Sequence, residues 1–258
     1  MTDSRPIIFY SDAHFGAHSR LQEDVKVERF VGLLEHAKSD GAEVFFLGDL
    51  FDFWFEYRHW IPKAPLEVLA SIQSFTKSGL PFHMVLGNHD IWAADYFERD
   101  LGAVVHRQDV TLTRQGLRLL ISHGDGKAPS DGGYRALKRV LRFRPNVALY
   151  RLLPADLAFR MARFSSGHSR ELTAARPPRY LPEYDAVAES YLKSGFDAVL
   201  MGHLHQGWVR RAGAGWWINT GEFFEKFTYV RMQDGEFRLH TWNPSQERET
   251  PPQKTSSS

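Results

Sequence analysis

Five short motifs in this sequence carry side chains that commonly bind divalent metal ions. In chain order they are Asp12-Ala13-His14, Gly48-Asp49, Gly87-Asn88-His89-Asp90, His123-Gly124-Asp125 and Gly202-His203-Leu204-His205. A mixture of imidazole and oxygen ligands suits manganese, iron or zinc better than calcium. Two such ions, held roughly 3.5–4 Å apart, can clamp the attacking and leaving oxygens of a phosphoryl transfer. The motifs therefore indicate a metal site that acts on phosphate.

Each motif follows a short apolar run that predicts a β-strand. The runs are Ile7–Tyr10, Val44–Leu47, Phe82–Leu86, Leu117–Ile121 and Ala198–Met201. In α/β sheets, ligands bind outside the carboxyl ends of the strands. We therefore expect the five motifs to form one site, although they come from nearly the whole chain.

The remaining pattern predicts helices between the early strands and a group of strands near the end. Apolar spacing favours helices over Val25–Lys38, from Pro65 to about Lys77, and over Ala186–Lys193, with a short helix around Trp92–Arg99. Further strands are predicted at Val110–Thr113 and near Trp208–Arg210, Trp216–Asn219, Thr228–Met232 and Phe237–Thr241. This order predicts an α/β (α+β) fold, in which helices flank a two-sheet β-sandwich.

A basic, helical segment lies between the fourth and fifth motifs. Residues 135–179 contain eleven Lys or Arg residues but only Asp156 and Glu171 as acids, whereas the whole chain has a net charge of +1. We interpret this segment as an inserted helical lid over residues 127–194. The catalytic domain would comprise residues 1–126 and 195–245, and the polar residues 246–258 would form a disordered tail.

The composition fits a cytoplasmic enzyme. The chain has no cysteine, so a disulfide framework and a thiolate zinc site are excluded. Residues 1–6 lack the apolar stretch of a signal peptide, and no run approaches the roughly 20 apolar residues of a membrane-spanning helix. We expect a cytoplasmic location.

The spacing within the motifs indicates how they share the ions. Asp12 and His14 lie two residues apart, so both side chains can meet one ion from an extended chain. Asp49 follows a glycine at a strand end, which suits a carboxylate that bridges both ions. We expect Asp90 and Asp125, which follow ligand positions, to orient the loops rather than bind metal.

This set of motifs resembles that of the calcineurin-like metallophosphoesterases, and the resemblance extends from Ile7 to Asn219. It implies a first metal site and a second one that share Asp49. The first would consist of Asp12, His14, Asp49 and His205, and the second of Asn88, His123 and His203 with Asp49. It also implies two divalent ions, most simply Mn²⁺, and a catalytic His89 that stabilises charge or protonates the leaving oxygen.

Within that superfamily the chain is similar to the UDP-2,3-diacylglucosamine diphosphatases of lipid A synthesis. The resemblance lies in residues 48–54, in His123-Gly124-Asp125 with Asp131 and Tyr134, and in residues 162–170. One departure is that the best-known branch has Arg at the position of His89. The resemblance implies that the substrate is bound by Asn88, His89, Asp131, Tyr134, Arg163, Ser166 and Arg170.

The lid pattern agrees with a lipid-linked diphosphate as substrate. Arginine groups suit phosphate, and apolar positions at helical spacing, among them Leu149, Leu153 and Leu157, would line an acyl groove or form the lid's own core. A basic amphipathic helix also suits peripheral contact with an anionic inner-membrane surface. We expect neither a nucleic-acid partner nor an obligatory protein partner. The alternatives are another phosphoesterase, acting on nucleotides or phosphoproteins, and an inactive membrane-associated scaffold.

Overall fold

The computed structural model describes residues 5–158, 160, 180–244 and 248–249, and in these residues two β-sheets form the centre of the fold. The strands are, in chain order, β1 (Ile7–Tyr10), β2 (Glu43–Phe46), β3 (Phe82–Val85), β4 (Val104–His106), β5 (Val110–Arg114), β6 (Leu117–Ser122), β7 (Ala198–Met201), β8 (Gly207–Ala212), β9 (Gly215–Thr220), β10 (Thr228–Gln233), β11 (Glu236–Thr241) and β12 (Arg248–Glu249). The helices are α1 (Arg20–Ser39), α2 (Leu66–Lys77), α3 (Tyr96–Arg99), α4 (Gly132–Arg142), α5 (Arg144–Tyr150) and α6 (Tyr180–Lys193), and a 3-10 turn over Pro129–Asp131 precedes α4.

The strand order places the predicted metal-binding motifs at neighbouring strand ends. The first sheet has the order β12-β11-β10-β1-β2-β3-β4, in which β1 to β4 are parallel. The second has the order β5-β6-β7-β9-β8, in which β6, β7 and β9 are parallel. Parallel neighbours end at the same edge of a sheet, so each sheet delivers its motifs to one edge.

Three apolar layers hold the sheets and helices together. Phe9, Phe45 and Leu47 of the first sheet pack against Ile121 and Leu200 of the second. The outer face of the first sheet is covered by α1 and α2, and that of the second by α6. At roughly 25 cal/mol per Å² of buried apolar surface, these layers are the main stabilising contribution to the fold. The predicted α/β sandwich of two sheets flanked by helices is confirmed.

Several element boundaries differ from the predictions. Helix α1 begins at Arg20 rather than Val25, because Ser19 precedes it as an N-cap whose backbone N–H donates to Gln22 Oε1 at 3.2 Å. The short helix predicted from Trp92 covers only Tyr96–Arg99. Strand β4 was not predicted, since three partly exposed residues at a sheet edge carry little periodic signal.

The structure shows two contacts that the predicted domain division did not include, one made by α6 and one by Arg248–Glu249. Helix α6 falls in the range assigned to the lid, yet its Tyr184 and Ala188 are buried against the second sheet. Arg248–Glu249, which fall in the predicted tail, pair with the end of β11. Apart from α6, the described part of the segment predicted to be a lid comprises α4, α5 and the residues that follow α5 to Ala158, and we refer to it as the lid.

Candidate metal centre

The ends of β1 and β2 bring the residues of the predicted first metal site together. The Nε2 atom of His14 lies 3.7 Å from Asp12 Oδ1 and 3.8 Å from Asp49 Oδ2. His205 approaches from the second sheet, with its Nε2 atom 3.2 Å from Asp12 Oδ1. One imidazole thus lies between two carboxylates that come from neighbouring parallel strands.

The ends of β3, β6 and β7 bring the residues of the predicted second site to the same place. His123 Nε2 lies 3.3 Å from Asp49 Oδ2 and 3.2 Å from Asn88 Oδ1. His203 completes a group with Asp49 and His123 whose candidate ligand atoms all lie within 4.8 Å of one another. All seven predicted ligands therefore meet at one centre, and Asp49 lies between the two groups.

The hydrogen bond of His123 directs one ring nitrogen into the centre. Its Nδ1 atom lies 2.7 Å from the carbonyl oxygen of Leu47, which can only accept a hydrogen bond. Nδ1 therefore carries a proton, and Nε2 faces Asp49 and Asn88. Metal-binding histidines usually have such a second hydrogen bond, which fixes the tautomer and the ring orientation.

Backbone conformation marks the same residues. Five of the seven predicted ligands have positive φ angles, namely Asp12 (56°), His14 (45°), Asp49 (59°), His203 (66°) and His205 (55°). Such a conformation costs on the order of 1–3 kcal/mol at a non-glycine residue and occurs mostly at functional sites. The strand-to-loop turns are thus shaped to place these side chains, at a cost that the surrounding core offsets.

Glycines next to the ligands allow the strand ends to approach. A Cβ atom on Gly87 would lie 2.1 Å from Asp49 Oδ1, and one on Gly48 would lie 2.7 Å from His123 Nδ1. A Cβ atom on Gly202 would lie 2.8 Å from Asp12 Oδ2. The glycines in these motifs therefore provide space for the neighbouring ligands.

The carboxylates and imidazoles of the centre stabilise each other's charged forms. Burial opposes the charge of Asp49, but the imidazoles of His123 and His89 outweigh it and hold the pKa of Asp49 well below its usual range. Burial would lower the pKa of His123, but Asp49 raises it to about 10. Buried carboxylates that keep their charge form a site that attracts cations.

The residues at this centre fit divalent metal ions. Both ring nitrogens of His14 are buried, and neither makes a hydrogen bond to any described residue. Buried polar atoms without a partner are rare in folded proteins and call for an explanation. A metal ion among Asp12, His14 and His205 would supply the missing partner, and a second among Asp49, His123 and His203 would use the other group.

His89 lies at the edge of this centre. Its Nδ1 atom is 2.6 Å from the carbonyl oxygen of Asp52, so Nδ1 donates that hydrogen bond. Its Nε2 atom is 3.9 Å from Asp49 Oδ2. The ring therefore presents Nε2 to the centre, as the predicted catalytic role requires, although His14, Asp49 and His89 also form a possible ligand group.

Asp90 orients the loop backbone, as expected. Its two carboxylate oxygens accept hydrogen bonds from the backbone N–H groups of Gly87, at 2.5 Å, and Leu50, at 3.0 Å. Burial, together with the nearby charge of Asp49, raises the pKa of Asp90 to about 7. The carboxyl group thereby connects the loop after β2 to the loop after β3.

The lid helix α4 is attached directly to the fourth motif. The hydroxyl of Tyr134 donates to Asp125 Oδ2 at 2.6 Å, and the ammonium group of Lys138 forms an ion pair with the same carboxylate. At the other end of α4, Trp92 Nε1 donates to the carbonyl oxygen of Leu141 at 3.0 Å. The helix therefore connects the fourth motif to the loop that follows the third.

The predicted substrate-binding residues divide into three groups. Asn88 and His89 lie at the metal centre. Tyr134 is tied to Asp125, and Asp131 is half-buried at the end of the 3-10 turn before α4. The other three, Arg163, Ser166 and Arg170, fall outside the described residues.

Two residues at the centre were not predicted. Lys26 of α1 is completely buried, and its Nζ donates to the carbonyl oxygen of His14 at 2.8 Å. The ring centroid of Phe224 lies 6.0 Å from that of His14 and 5.4 Å from that of His205. Neither residue belongs to a motif. A lysine among the apolar positions of a helix was the one available signal.

Comparison with known proteins agrees with this geometry. Residues 5–207 match the sequence model of the calcineurin-like phosphoesterases, and the chain belongs to that family. It is a metal-dependent phosphoesterase.

Individual relatives carry a more specific name. The chain is 30% identical over 193 residues to the UDP-2,3-diacylglucosamine hydrolase of Porphyromonas gingivalis, a match that covers 72% of this chain and 74% of that protein. It is 23% identical over 229 residues to the protein of the same name from Photorhabdus laumondii, covering 84% and 93%. Among solved structures, the match with an archaeal phosphodiesterase covers 92% of this chain and 99% of that chain, with 15% identity and a TM-score of 0.47.

Proposed function

We propose that this phosphoesterase hydrolyses the diphosphate of UDP-2,3-diacylglucosamine in lipid A synthesis. Water would attack one phosphorus, the P–O–P bridge would break, and the products would be UMP and 2,3-diacylglucosamine 1-phosphate. The observation that carries this proposal is the position of α4, a basic helix with exposed apolar residues that is attached to the fourth motif beside the metal centre. The name shared by relatives that are 22–30% identical supports the same substrate.

In this proposal the centre holds two divalent ions, most simply Mn²⁺, with Asp49 as the shared ligand. The ions would stabilise negative charge on the phosphoryl oxygens and lower the pKa of the attacking water. Asp12, His14 and His205 would hold the first ion, whereas Asn88, His123 and His203 would hold the second. The mixed imidazole and carboxylate ligands favour manganese, iron or zinc.

His89 would act on the leaving group. Its Nδ1 proton is engaged by the carbonyl oxygen of Asp52, so the ring can donate to substrate through Nε2 only when it carries a second proton. In that state the imidazolium would stabilise charge and deliver its proton to the bridging oxygen as the P–O bond breaks. The hydrogen bond to Asp52 would keep the ring in the required orientation.

The surface of the lid suits a lipid. The described part of the lid exposes several large apolar side chains, namely Leu137 (53%), Val140 (55%), Phe143 (59%), Leu149 (66%), Leu152 (80%) and Leu157 (46%). Basic residues lie among them in the sequence, and large exposed apolar side chains grouped in one segment are typical of an interaction site. We assign this surface to the acyl chains and to the anionic inner-membrane surface, each basic residue there being worth about 1 kcal/mol.

The remaining expectations belong to the same proposal. None of the helices in residues 5–158 and 180–244 is long and apolar enough to cross a membrane. The proposed enzyme would act in the cytoplasm, bound peripherally to the inner membrane through the lid. It would need neither nucleic acid nor an obligatory protein partner.

The test is a comparison of acylated and unacylated substrates. Purified protein with Mn²⁺ would receive UDP-2,3-diacylglucosamine or UDP-glucosamine without acyl chains, and release of UMP would be measured. We expect far faster release from the acylated substrate, because contacts with the acyl chains position the diphosphate. A chelator should stop both reactions. Equal turnover of the two substrates, or hydrolysis of cyclic nucleotides with none of the lipid, would reject this substrate while leaving the phosphoesterase chemistry in place.

A further inference from the structure

A second cavity, distinct from the metal centre but adjoining it, lies between α4 and the ends of β4 and β6. Its volume is about 410 Å³, within the size range of small-molecule sites. His123 lines both this cavity and the metal centre. A ligand in the cavity would therefore lie beside the ligand groups of the predicted second ion. We call this cavity the α4 pocket.

The basic face of α4 points into this pocket. Arg135, Lys138 and Arg142 line it, and they lie three and four residues apart, on one face of the helix. Leu137 and Val140, on another face, are more than half exposed. Three of the four basic residues of α4 thus face the pocket, whereas Leu137 and Val140 face outward.

Most cations of the pocket already have a carboxylate partner. Five basic side chains line it, namely Arg107, Lys127, Arg135, Lys138 and Arg142. Three of them form an ion pair with a carboxylate: Arg107 with Glu98, Lys127 with Asp109, and Lys138 with Asp125. These pairs cancel in charge and hold the walls of the pocket in place.

Among the described residues, two cations of the pocket have no carboxylate partner, namely Arg135 and Arg142. The guanidinium of Arg135 donates to the backbone carbonyl oxygens of Gly126, Ala128 and Pro129, which fix its position but carry no net charge. Arg142 forms no hydrogen bond or ion pair with any described residue. Two uncompensated cations match the charge of a phosphate monoester, which is about −1.5 to −2 at neutral pH. Arginine is the side chain best suited to bind such a group.

The walls of the pocket distinguish the two halves of the proposed substrate. Val85 and Leu86 are the large apolar residues in its lining, which otherwise consists of polar residues and Gly126. Such walls can accept a ribose and a base, but they offer no groove for two acyl chains. On α4 itself the exposed apolar residues, Leu137 and Val140, lie on a different face from the residues that line the pocket.

We propose that the α4 pocket binds the nucleoside monophosphate half of the substrate, with Arg142 as the principal contact of its phosphate. The inference rests on the proposed function, because it assigns UMP to the inner face of α4 and the lipid to its outer face. Arg135 supplies the second positive charge from a fixed position. Arg142, which has no partner among the described residues, would contact the phosphate directly.

The experiment measures the affinity of the metal-loaded protein for UMP, by calorimetry, in wild type and in Arg142→Gln. Arg139→Gln is the matched control, because Arg139 lies on the same helix and is exposed but does not line the pocket. We expect Arg142→Gln to weaken UMP binding about tenfold or more, as for loss of a charge-assisted hydrogen bond, and Arg139→Gln to leave it unchanged within about twofold. Arg142→Lys should restore part of the affinity.

Two further ligands identify which half of the substrate uses the pocket. Glucosamine 1-phosphate carries the phosphate of the lipid half without a base, and uridine carries the base without a phosphate. We expect the affinities for both to be insensitive to Arg142→Gln. Equal losses of UMP affinity in the two Gln variants, or a loss confined to glucosamine 1-phosphate, would overturn the assignment.

The same measurements separate this inference from the proposed function. If the wild type hydrolyses UDP-2,3-diacylglucosamine but its UMP affinity does not depend on Arg142, the pocket assignment is wrong and the function stands. If UMP binding depends on Arg142 but the lipid substrate is not cleaved, the pocket still binds a nucleotide and the proposed substrate is wrong.

Discussion

Gly87→Ala should disable the metal centre by steric displacement alone. The added Cβ atom would lie 2.1 Å from Asp49 Oδ1 and 2.8 Å from the backbone nitrogen of Asp49. Since ordinary contacts are 3.4 Å or more, the carboxylate or the loop would have to move by about 1.3 Å. A misplacement of about 1 Å can cost roughly 100-fold in rate. We therefore expect a loss of turnover of at least about 100-fold, together with weaker metal binding.

The assay combines metal content with turnover. Metal bound per protein chain would be determined by elemental analysis after dialysis, and hydrolysis of bis(p-nitrophenyl) phosphate would be followed with excess Mn²⁺. Thermal unfolding would show that the variant is folded, since overpacking of this kind costs about 1–3 kcal/mol. Gly133→Ala is the control, because a Cβ atom there has no neighbour within 4 Å. A folded Gly87→Ala protein with normal metal content and turnover within threefold of wild type would refute the reasoning.

Three more substitutions test other parts of the structure. Asp49→Ala should remove the carboxylate shared by both ligand groups and lose at least one metal ion, and unchanged metal content and turnover would contradict that role. His89→Ala should lower the rate about 100- to 10,000-fold with metals retained, as for a positioned acid–base group, whereas loss of metal would make it a ligand. Burial would raise the pKa of Glu43, but the contact with His83, at 2.9 Å, and two hydrogen bonds from Arg114 lower it to about 2. The stabilisation from Glu43 is therefore complete above the pKa of the unfolded chain, near 4.5, and is lost as the pH falls towards 2. Glu43→Gln should therefore flatten the dependence of the free energy of unfolding on pH between about 4.5 and 2, and an unchanged slope in acid denaturation would count against this ion pair.

The strands and their end residues were predictable from the sequence for a simple physical reason. The buried strands are continuous apolar runs, and β1 and β7 have the predicted boundaries. The polar residues that follow such runs must leave the core at the sheet edge. Because β1 to β3 are parallel, Asp12, Asp49 and Asn88 arrive at the same edge.

What the sequence could not provide depends on docking between elements. Helical spacing shows that Arg135, Lys138 and Arg142 share a face, but not that this face turns towards the catalytic domain. That orientation follows from contacts such as Tyr134 with Asp125, between residues of unremarkable type. The contact of Lys26 with the metal centre is of the same kind, because it is made to the backbone carbonyl oxygen of His14 and only the position of a lysine among apolar residues pointed to it.

The metal centre draws its ligands from both layers of the sandwich, which makes metal concentration a determinant of stability. Asp12 and Asp49 extend from the first sheet, whereas His123 and His205 extend from the second. An ion bound between them would cross-link the sheets much as a covalent bridge does, and it would bind the native state but not the unfolded chain. Free metal at 100 times its dissociation constant would then add about 2.7 kcal/mol to the free energy of unfolding. Availability of metal would therefore determine how long the folded protein persists as well as how fast it works.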